Sequence, residues 1–362
     1  MKHEKFDTHE VFYLPYKPSF RDRWFSKYQG SSLQKLSKLF TLFHLISENF
    51  SIRSMPHSNM YDFARKFLRQ NKDTKALIVS AQPFDQFHMA YRLKNEFKIP
   101  WIADYRDDWN TSEIDVKFTG LIGLLQRRSE RKWVGTANLI TSVSPHYVEK
   151  ISNFVGRPGK VLLNGYDLSN FDPKPIDPVL FKITYNGSLY ASQPIEIFLK
   201  AIQKLIKEGY EEIRIQFPGL AYDPAQAERV QNQTIKIKKY VLITDRIPRQ
   251  EVLEIQSNSD VLLMLAHAGF KGIPSSKLYE YIGLQKQVLL YPNDHGIIEK
   301  TLDNVGLGLI CEEPKHIYLQ LKKLLDAKRA GTYSETPIDR KAIKFYSRKV
   351  QTKELAQILD EL

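Results

Sequence analysis

A lysine and a glutamate three residues apart, Lys277 and Glu280, follow two serines, Ser275 and Ser276, and a proline, Pro274. Helix positions three apart share one side. The free amides of a first helical turn, together with the helix dipole, favour an anion there. Residues 272–283 therefore read as a tight loop feeding a helix, with a phosphate site at its start and a hydroxyl-binding carboxylate one turn along. A plainer account also fits: Ser275 or Ser276 caps the helix, Lys277 and Glu280 form an exposed pair, and Tyr279 and Tyr281 pack. Ahead of the loop, Val261-Leu262-Leu263-Met264-Leu265 is a continuous apolar run, the pattern of a strand buried on both faces of a parallel sheet.

A second strand-and-turn lies upstream. Ile183-Thr184-Tyr185 runs into Asn186-Gly187-Ser188, followed by Pro194 and the helically spaced Ile195, Phe198, Leu199, Ile202 and Leu205. Gly187 lets the backbone approach a ligand closely. Turns at the carboxyl ends of strands in one open sheet can converge on one crevice. In the first half, Asp104, Arg106 and Asp107 follow another buried strand, where a carboxylate can reach an acceptor hydroxyl and an arginine a phosphate. They equally suit an Arg-Asp pair bracing a loop. His88 reads as an ordinary helix residue rather than a base. His267 and Lys271 precede the 272–283 stretch, and no His, Cys or carboxylate cluster has metal-ligand spacing.

The elements around these residues imply an α/β protein of two domains. Apolar runs at 181–185, 213–217, 240–243, 261–265, 287–291 and 307–310 alternate with helical segments, and the same rhythm appears at 77–80, 101–104, 139–143 and 161–163. Val11-Phe12-Tyr13-Leu14 is a further strand candidate. Three prolines in Phe171 to Pro178 exclude helix and sheet interior and mark an extended linker. The expected domains are 1–172 and 173–341, with a helical tail at 342–362.

The 362 residues carry a net charge of +12, and residues 1–100 alone hold 17 Lys or Arg against 9 Asp or Glu. In residues 20–45, Arg21, Arg23, Lys27, Lys35 and Lys38 interleave with Phe20, Trp24, Phe25, Leu36, Leu39, Phe40 and Phe43. Such a stretch suits an anionic membrane surface. It equally suits a helix whose apolar side packs inward while its lysines face water. No nucleic-acid motif accompanies the charge. The single cysteine, Cys311, excludes an internal disulfide and fits a reducing compartment. No run of ~18 apolar residues and no signal peptide appears, so the expected location is the cytoplasm, with peripheral attachment to the inner membrane face.

The motifs, taken in order, resemble GT-B glycosyltransferases of family 4. Asn164-Gly165-Tyr166-Asp167 with Phe171 resembles the family's "PNG-D-F" segment, and Tyr185 to Tyr190 the turn opening its donor domain. Ile247-Pro248-Arg249-Gln250-Glu251-Val252 resembles a helix start, and Ser259-Asp260-Val261-Leu262-Leu263 the "aDvll" strand. Pro274 to Gly283 resembles "iPsK-yEYla", and Pro100 to Trp109 resembles "P-v-D-RD-W". The resemblance covers about residues 76–312 and implies two doubly wound Rossmann-like domains facing a cleft. It also implies a UDP- or GDP-sugar donor, no metal and retention of configuration; a glycan or lipid-linked acceptor in surface polysaccharide assembly suits the basic first domain. Gly187, Ser188, Arg246, Ser275, Ser276, Lys277 and Glu280 would then hold the donor, while Asp104, Arg106 and Asp107 would serve catalysis. The departures are Gly272, where members often carry the first of two glutamates; Ser188 to Gln193, which lack the common arginine and lysine phosphate pair and leave the positive charge to Arg246 or Lys277; and an opening without the usual first strand and glycine-rich loop. Two other readings of the same fold are a nucleotide-sugar 2-epimerase and a non-catalytic binding module.

Overall fold

The computed structural model describes residues 1–362 except 48, 114–118, 271, 272, 274 and 334–337, and except the side chains of Ser37, Lys38, Leu39, Leu42 and Leu45. Gly272 and Pro274 of the loop and Lys271 before it, with the side chains of Lys38 and Leu39 in the basic stretch, lie outside the described residues. The described residues form twelve strands: β1 (Lys2–Lys5), β2 (Glu10–Tyr13), β3 (Leu77–Ala81), β4 (Trp101–Tyr105), β5 (Leu139–Ser142), β6 (Gly159–Val161), β7 (Phe181–Thr184), β8 (Ile213–Phe217), β9 (Val241–Ile243), β10 (Val261–Leu265), β11 (Gln287–Tyr291) and β12 (Gly308–Ile310). The chain divides into two compact units, Met1–Val161 with Ile358–Leu362, and Leu162–Gln357. Residues 162–172, read above with the first half, thus lie in the second unit.

The second unit is built on a parallel six-stranded sheet in the order β12-β11-β10-β7-β8-β9. Every residue of β10 is buried. Side chains alternate across a sheet, so Val261, Leu263 and Leu265 enter one core with Phe198, Ile202, Ile317 and Leu321, while Leu262 and Met264 enter another with Leu278, Tyr281 and Leu302. The chain winds outward from β7 in one direction through β8 and β9, and from β10 in the other through β11 and β12. Adjacent β7 and β10 are therefore the switch point, where open sheets hold ligands beyond their strand ends. The apolar stripe Ile195, Phe198, Leu199, Ile202 and Leu205 of the helix Ile195–Lys207 is wholly buried, and full burial of each such side chain contributes about 1.5–3 kcal/mol.

The segment from Phe171 to Pro178 is extended, as its prolines require. It nevertheless belongs to the second unit, because the Lys174 amide donates to Ser257 Oγ (3.0 Å) and Asn258 donates to the Pro175 carbonyl. The Asp177 carboxylate then turns the chain into β7 by accepting from the Val179 and Leu180 amides at 3.0 and 2.9 Å.

The first unit carries a parallel sheet in the order β3-β4-β5-β6, with β4 fully buried. Val11 to Leu14 does not enter it. Instead β2 pairs antiparallel with β1, and the hairpin is tied by Tyr13 donating to Glu4 and by the ion pairs of Glu10 with His3 and Lys5. Among the described residues no helix is long and apolar enough to cross a membrane.

Candidate functional site

The switch-point crevice of the second unit is assembled from the loops after β7 and β10 and the start of the helix Ser276–Gly283. Gly187 turns the first loop with φ +74°, a left-handed conformation that L side chains rarely adopt, and its amide donates to the Pro218 carbonyl at 2.9 Å. Gly219 on the neighbouring loop also has a positive φ, and a side chain there would begin 3.7 Å from Gly187 Cα. The helix opens on Ser275, whose hydroxyl accepts from the Lys277 amide at 3.3 Å. Its far end is held by an aromatic ring: a Cβ on Gly283 would lie 2.5 Å from Tyr166 Cγ, so only glycine admits the ring there.

Lys277 reaches back across the crevice. Nζ donates to Tyr185 Oη at 3.0 Å and to the Ser188 carbonyl at 2.9 Å, and lies 4.1 Å from the Tyr185 ring centroid. Burial lowers its pKa to about 7. His267, on the loop after β10, is bonded to Ser192 Oγ through Nδ1 (2.8 Å), and its pKa is lowered by burial first and then by the charge of Lys277. Two groups able to carry positive charge thus share the crevice; burial holds both back from ionising, and the charge of Lys277 adds to the effect on His267.

Gln193, buried, fastens the two loops together. Its Nε2 donates to the Leu265 carbonyl at 2.6 Å, and its Oε1 accepts from Tyr185 Oη and the Tyr190 amide, both at 3.0 Å. Arg229 grips the same loop from outside through the Tyr190 and Gln193 carbonyls (3.1 and 2.8 Å) and Glu196.

Glu280 points elsewhere: its Oε1 accepts from Arg249 Nη2 at 3.0 Å, and that guanidinium nitrogen also meets the Asp167 carbonyl at 3.3 Å. Arg246 is exposed and stacks on Tyr222, with Cζ 3.4 Å from the ring centroid. The structure therefore brings Gly187, Ser188, Ser275 and Lys277 together with the helix start, sets Glu280 on the flank with Arg249, and leaves Arg246 against Tyr222. Gln193, His267 and Arg249 were not legible as site residues. Arg249 carried a weak signal, lying in a segment matched only as a helix start.

In the first unit, Asp104 sits between Ser80 of β3 and Thr141 of β5 in register. Its carboxylate accepts from Ser80 Oγ (2.7 Å), Thr141 Oγ1 (2.8 Å) and Arg106 Nε (2.9 Å) and is 4% exposed, so its bonding capacity goes to the scaffold. Asp107 is exposed on the following loop. That loop is anchored by Glu130, which is fully buried and accepts from Tyr105 Oη (2.9 Å) and from the Asn110 amide and Nδ2 (3.2 and 2.7 Å). Burial raises the Glu130 pKa to about 7. His88 is buried, stacked on Trp133 at 4.5 Å and accepting from Arg92 Nε. One metal-capable group that sequence spacing did not show, His295, Glu299 and Glu312, gathers after β11 and β12. Asn293 Nδ2 donates to both of its carboxylates.

No protein-family model matches the sequence, and no curated protein does. Solved structures do match in fold. Anabaena HepE in complex with UDP and glucose is similar at a TM-score of 0.61 and 13% identity over 82% of this chain and 81% of that one. Sucrose-phosphate synthase from Thermosynechococcus elongatus is similar at 0.60 and 11% identity over 85% and 80%. A Listeria monocytogenes protein named as a candidate UDP-N-acetylglucosamine 2-epimerase is similar at 0.51 and 10% identity over 85% and 79%. These likenesses establish the GT-B fold, with two Rossmann-like domains.

Proposed function

Starting from a GT-B fold with a crevice at the switch point of its second unit, we propose that the chain is a glycosyltransferase. It moves a sugar from a nucleoside diphosphate to a glycan or lipid-linked acceptor, with retention of configuration. The observation that carries this reading is the convergence of Lys277, the Gly187–Ser188 turn and the N-terminus of the helix Ser276–Gly283 on one point. The UDP and glucose held by HepE support the choice of donor.

As the bond from the anomeric carbon to the diphosphate breaks, negative charge builds on the leaving oxygens. Preorganised amides at Ser188, Ser275 and Ser276 and the Lys277 ammonium stabilise that charge where it develops, while Gly187, whose own amide is bonded to the Pro218 carbonyl, shapes the turn that lets the backbone come close. Glu280, steadied by Arg249 through Oε1, accepts the ribose hydroxyls. Arg246 is the second candidate cation for the diphosphate. On the acceptor side, Asp104 positions Arg106, and Arg106 and Asp107 meet the incoming group. No metal takes part in this reading. It places the enzyme at the cytoplasmic membrane face in surface polysaccharide assembly.

Thermal denaturation with UDP, GDP and their sugars tests the donor site, since a ligand at 100 times its Kd stabilises by about 2.7 kcal/mol. Glu280→Ala should weaken nucleotide binding by about 1–3 kcal/mol, the range for a charged hydrogen bond. The absence of a shift with every nucleotide would remove the reading. Isomerisation of UDP-N-acetylglucosamine without acceptor would favour the epimerase reading, to which the Listeria structure lends its fold. Binding without turnover would leave a non-catalytic module.

A further inference from the structure

The basic stretch near the N-terminus is not simply a charged face. The helix Phe20–Lys27, the helix Ser37–Ser47 and the turn Ile52–Ser54 enclose a pocket of about 440 Å³ lined by Lys17, Arg21, Arg23 and Arg53 together with Phe20, Phe40, Phe43 and Met55. Among the described residues its lining contains no carboxylate. The nearest acid on the same helix, Asp22, is committed to Ser19, Tyr16 and Arg21, and these bonds hold its pKa down at about 2 against the opposing effect of burial. Among the described residues, Lys17, Arg23 and Arg53 have no carboxylate within ion-pair distance. Cations gathered around a concavity repel one another and concentrate a counter-anion there.

The walls are fixed rather than collapsed. Ser19 and Asp22 form a capping box, Arg21 Nε donates to Thr41 Oγ1 at 3.2 Å across the two helices, and Phe20 meets Phe40 edge-on at 5.2 Å. Phe43 is 69% exposed and Phe20 56% exposed, leaving large apolar rings uncovered beside the cations. Lys27 and Lys35, which a flat membrane-binding face would also use, are not part of the lining.

We infer that this pocket binds a phosphate-terminated amphiphile, its anionic end on Lys17, Arg23 and Arg53 and its hydrocarbon against Phe20, Phe40 and Phe43. Arginine binds phosphate oxygens in a bidentate fork, exposed aromatic rings cover a chain, and the volume falls within the range of small-ligand sites. That the occupant is the sugar acceptor rests on the glycosyl-transfer reading; the binding itself does not.

Octyl phosphate, inorganic phosphate and octanol are titrated into the full chain by calorimetry, with UDP-induced thermal stabilisation measured on every sample. Saturable binding of octyl phosphate is expected, with inorganic phosphate and octanol each weaker by about tenfold or more. The Arg23→Gln/Arg53→Gln variant should lose about tenfold in affinity, as should Phe43→Ser, while UDP stabilisation stays unchanged. All three changes are at exposed side chains, and circular dichroism confirms folding. Equal binding of inorganic and octyl phosphate would mean a free-anion site and overturn the proposal. So would octyl phosphate binding that neither variant alters, or no saturable binding at all. Octyl phosphate binding without any UDP effect would leave this pocket standing and remove the glycosyl-transfer reading. The reverse outcome would do the opposite.

Discussion

Lys277 allows the donor site to be tested by counting protons. Burial lowers its pKa from 10.5 to about 7. Because the folded value lies below the unfolded one, the unfolded chain holds a proton between those pH values that the native chain has shed. This group's contribution to stability therefore improves as pH rises through that window. A diphosphate placed against Nζ favours the charged form and draws the pKa back up. Nucleotide binding above pH 7 must then take up a proton, and affinity must fall as pH rises. Each unit above 7 costs at most ~1.4 kcal/mol, so UDP should bind up to about 100-fold more weakly at pH 9 than at pH 6.5. At pH 8, titrations in buffers of different ionisation enthalpy should show uptake approaching one proton per UDP. Lys277→Met should abolish that uptake and flatten the affinity profile. In the unbound chain the His267 pKa lies below its ordinary 6.5, and the Lys277→Met variant separates the lysine's uptake from that of the histidine. Equal affinity at pH 6.5 and 9, with heats independent of buffer, would refute the placement of the diphosphate at Lys277.

Glu130, raised from 4.5 to about 7 by burial, keeps a proton in the native state that the unfolded chain releases. Stability should therefore fall by up to about 3 kcal/mol as pH climbs through that interval. Urea melts of the Glu130→Gln variant should lack this fall, and parallel profiles for variant and parent would exclude the mechanism. Gly187→Ala meets no steric obstacle, its Cβ lying 3.6 Å from Lys277 Cε, but it must adopt φ +74°. The expected cost is about 1–2 kcal/mol, read as a lowered Tm, and an unchanged Tm would show that the turn relaxes freely.

The second half was legible because its strands are rich in apolar residues: β10 is an unbroken apolar run buried on both faces, β8 alternates buried Ile213, Ile215 and Phe217 with Arg214 and Gln216, and β8, β10 and β11 begin and end where the expected strands do. The hairpin was not legible. Lys2–Lys5 is polar throughout, and its pairing rests on side-chain contacts across the strands. The proline segment correctly announced an extended backbone but not a division between units, since Ser257 and Asn258 claim it through bonds more than eighty residues away in sequence. The site shows the same split. A capping serine and a glycine turn are local signals and could be read directly. Gln193 acquires its role only when β10 lies beside β7, and Arg249 only when its helix faces Glu280.

Gln193 has one more consequence. The clasp between the two crevice loops is an uncharged amide bonded to a carbonyl, a phenol and a backbone amide, none of which gains or loses a proton near neutrality. Protonation of Lys277 or His267 therefore changes what the crevice attracts and touches their own bonds to Tyr185, Ser188 and Ser192, but leaves the Gln193 clasp in place. Recognition and part of the rigidity are thus kept apart: acidity adjusts the lock's charge, while one of its fastenings is made of dipoles that do not titrate.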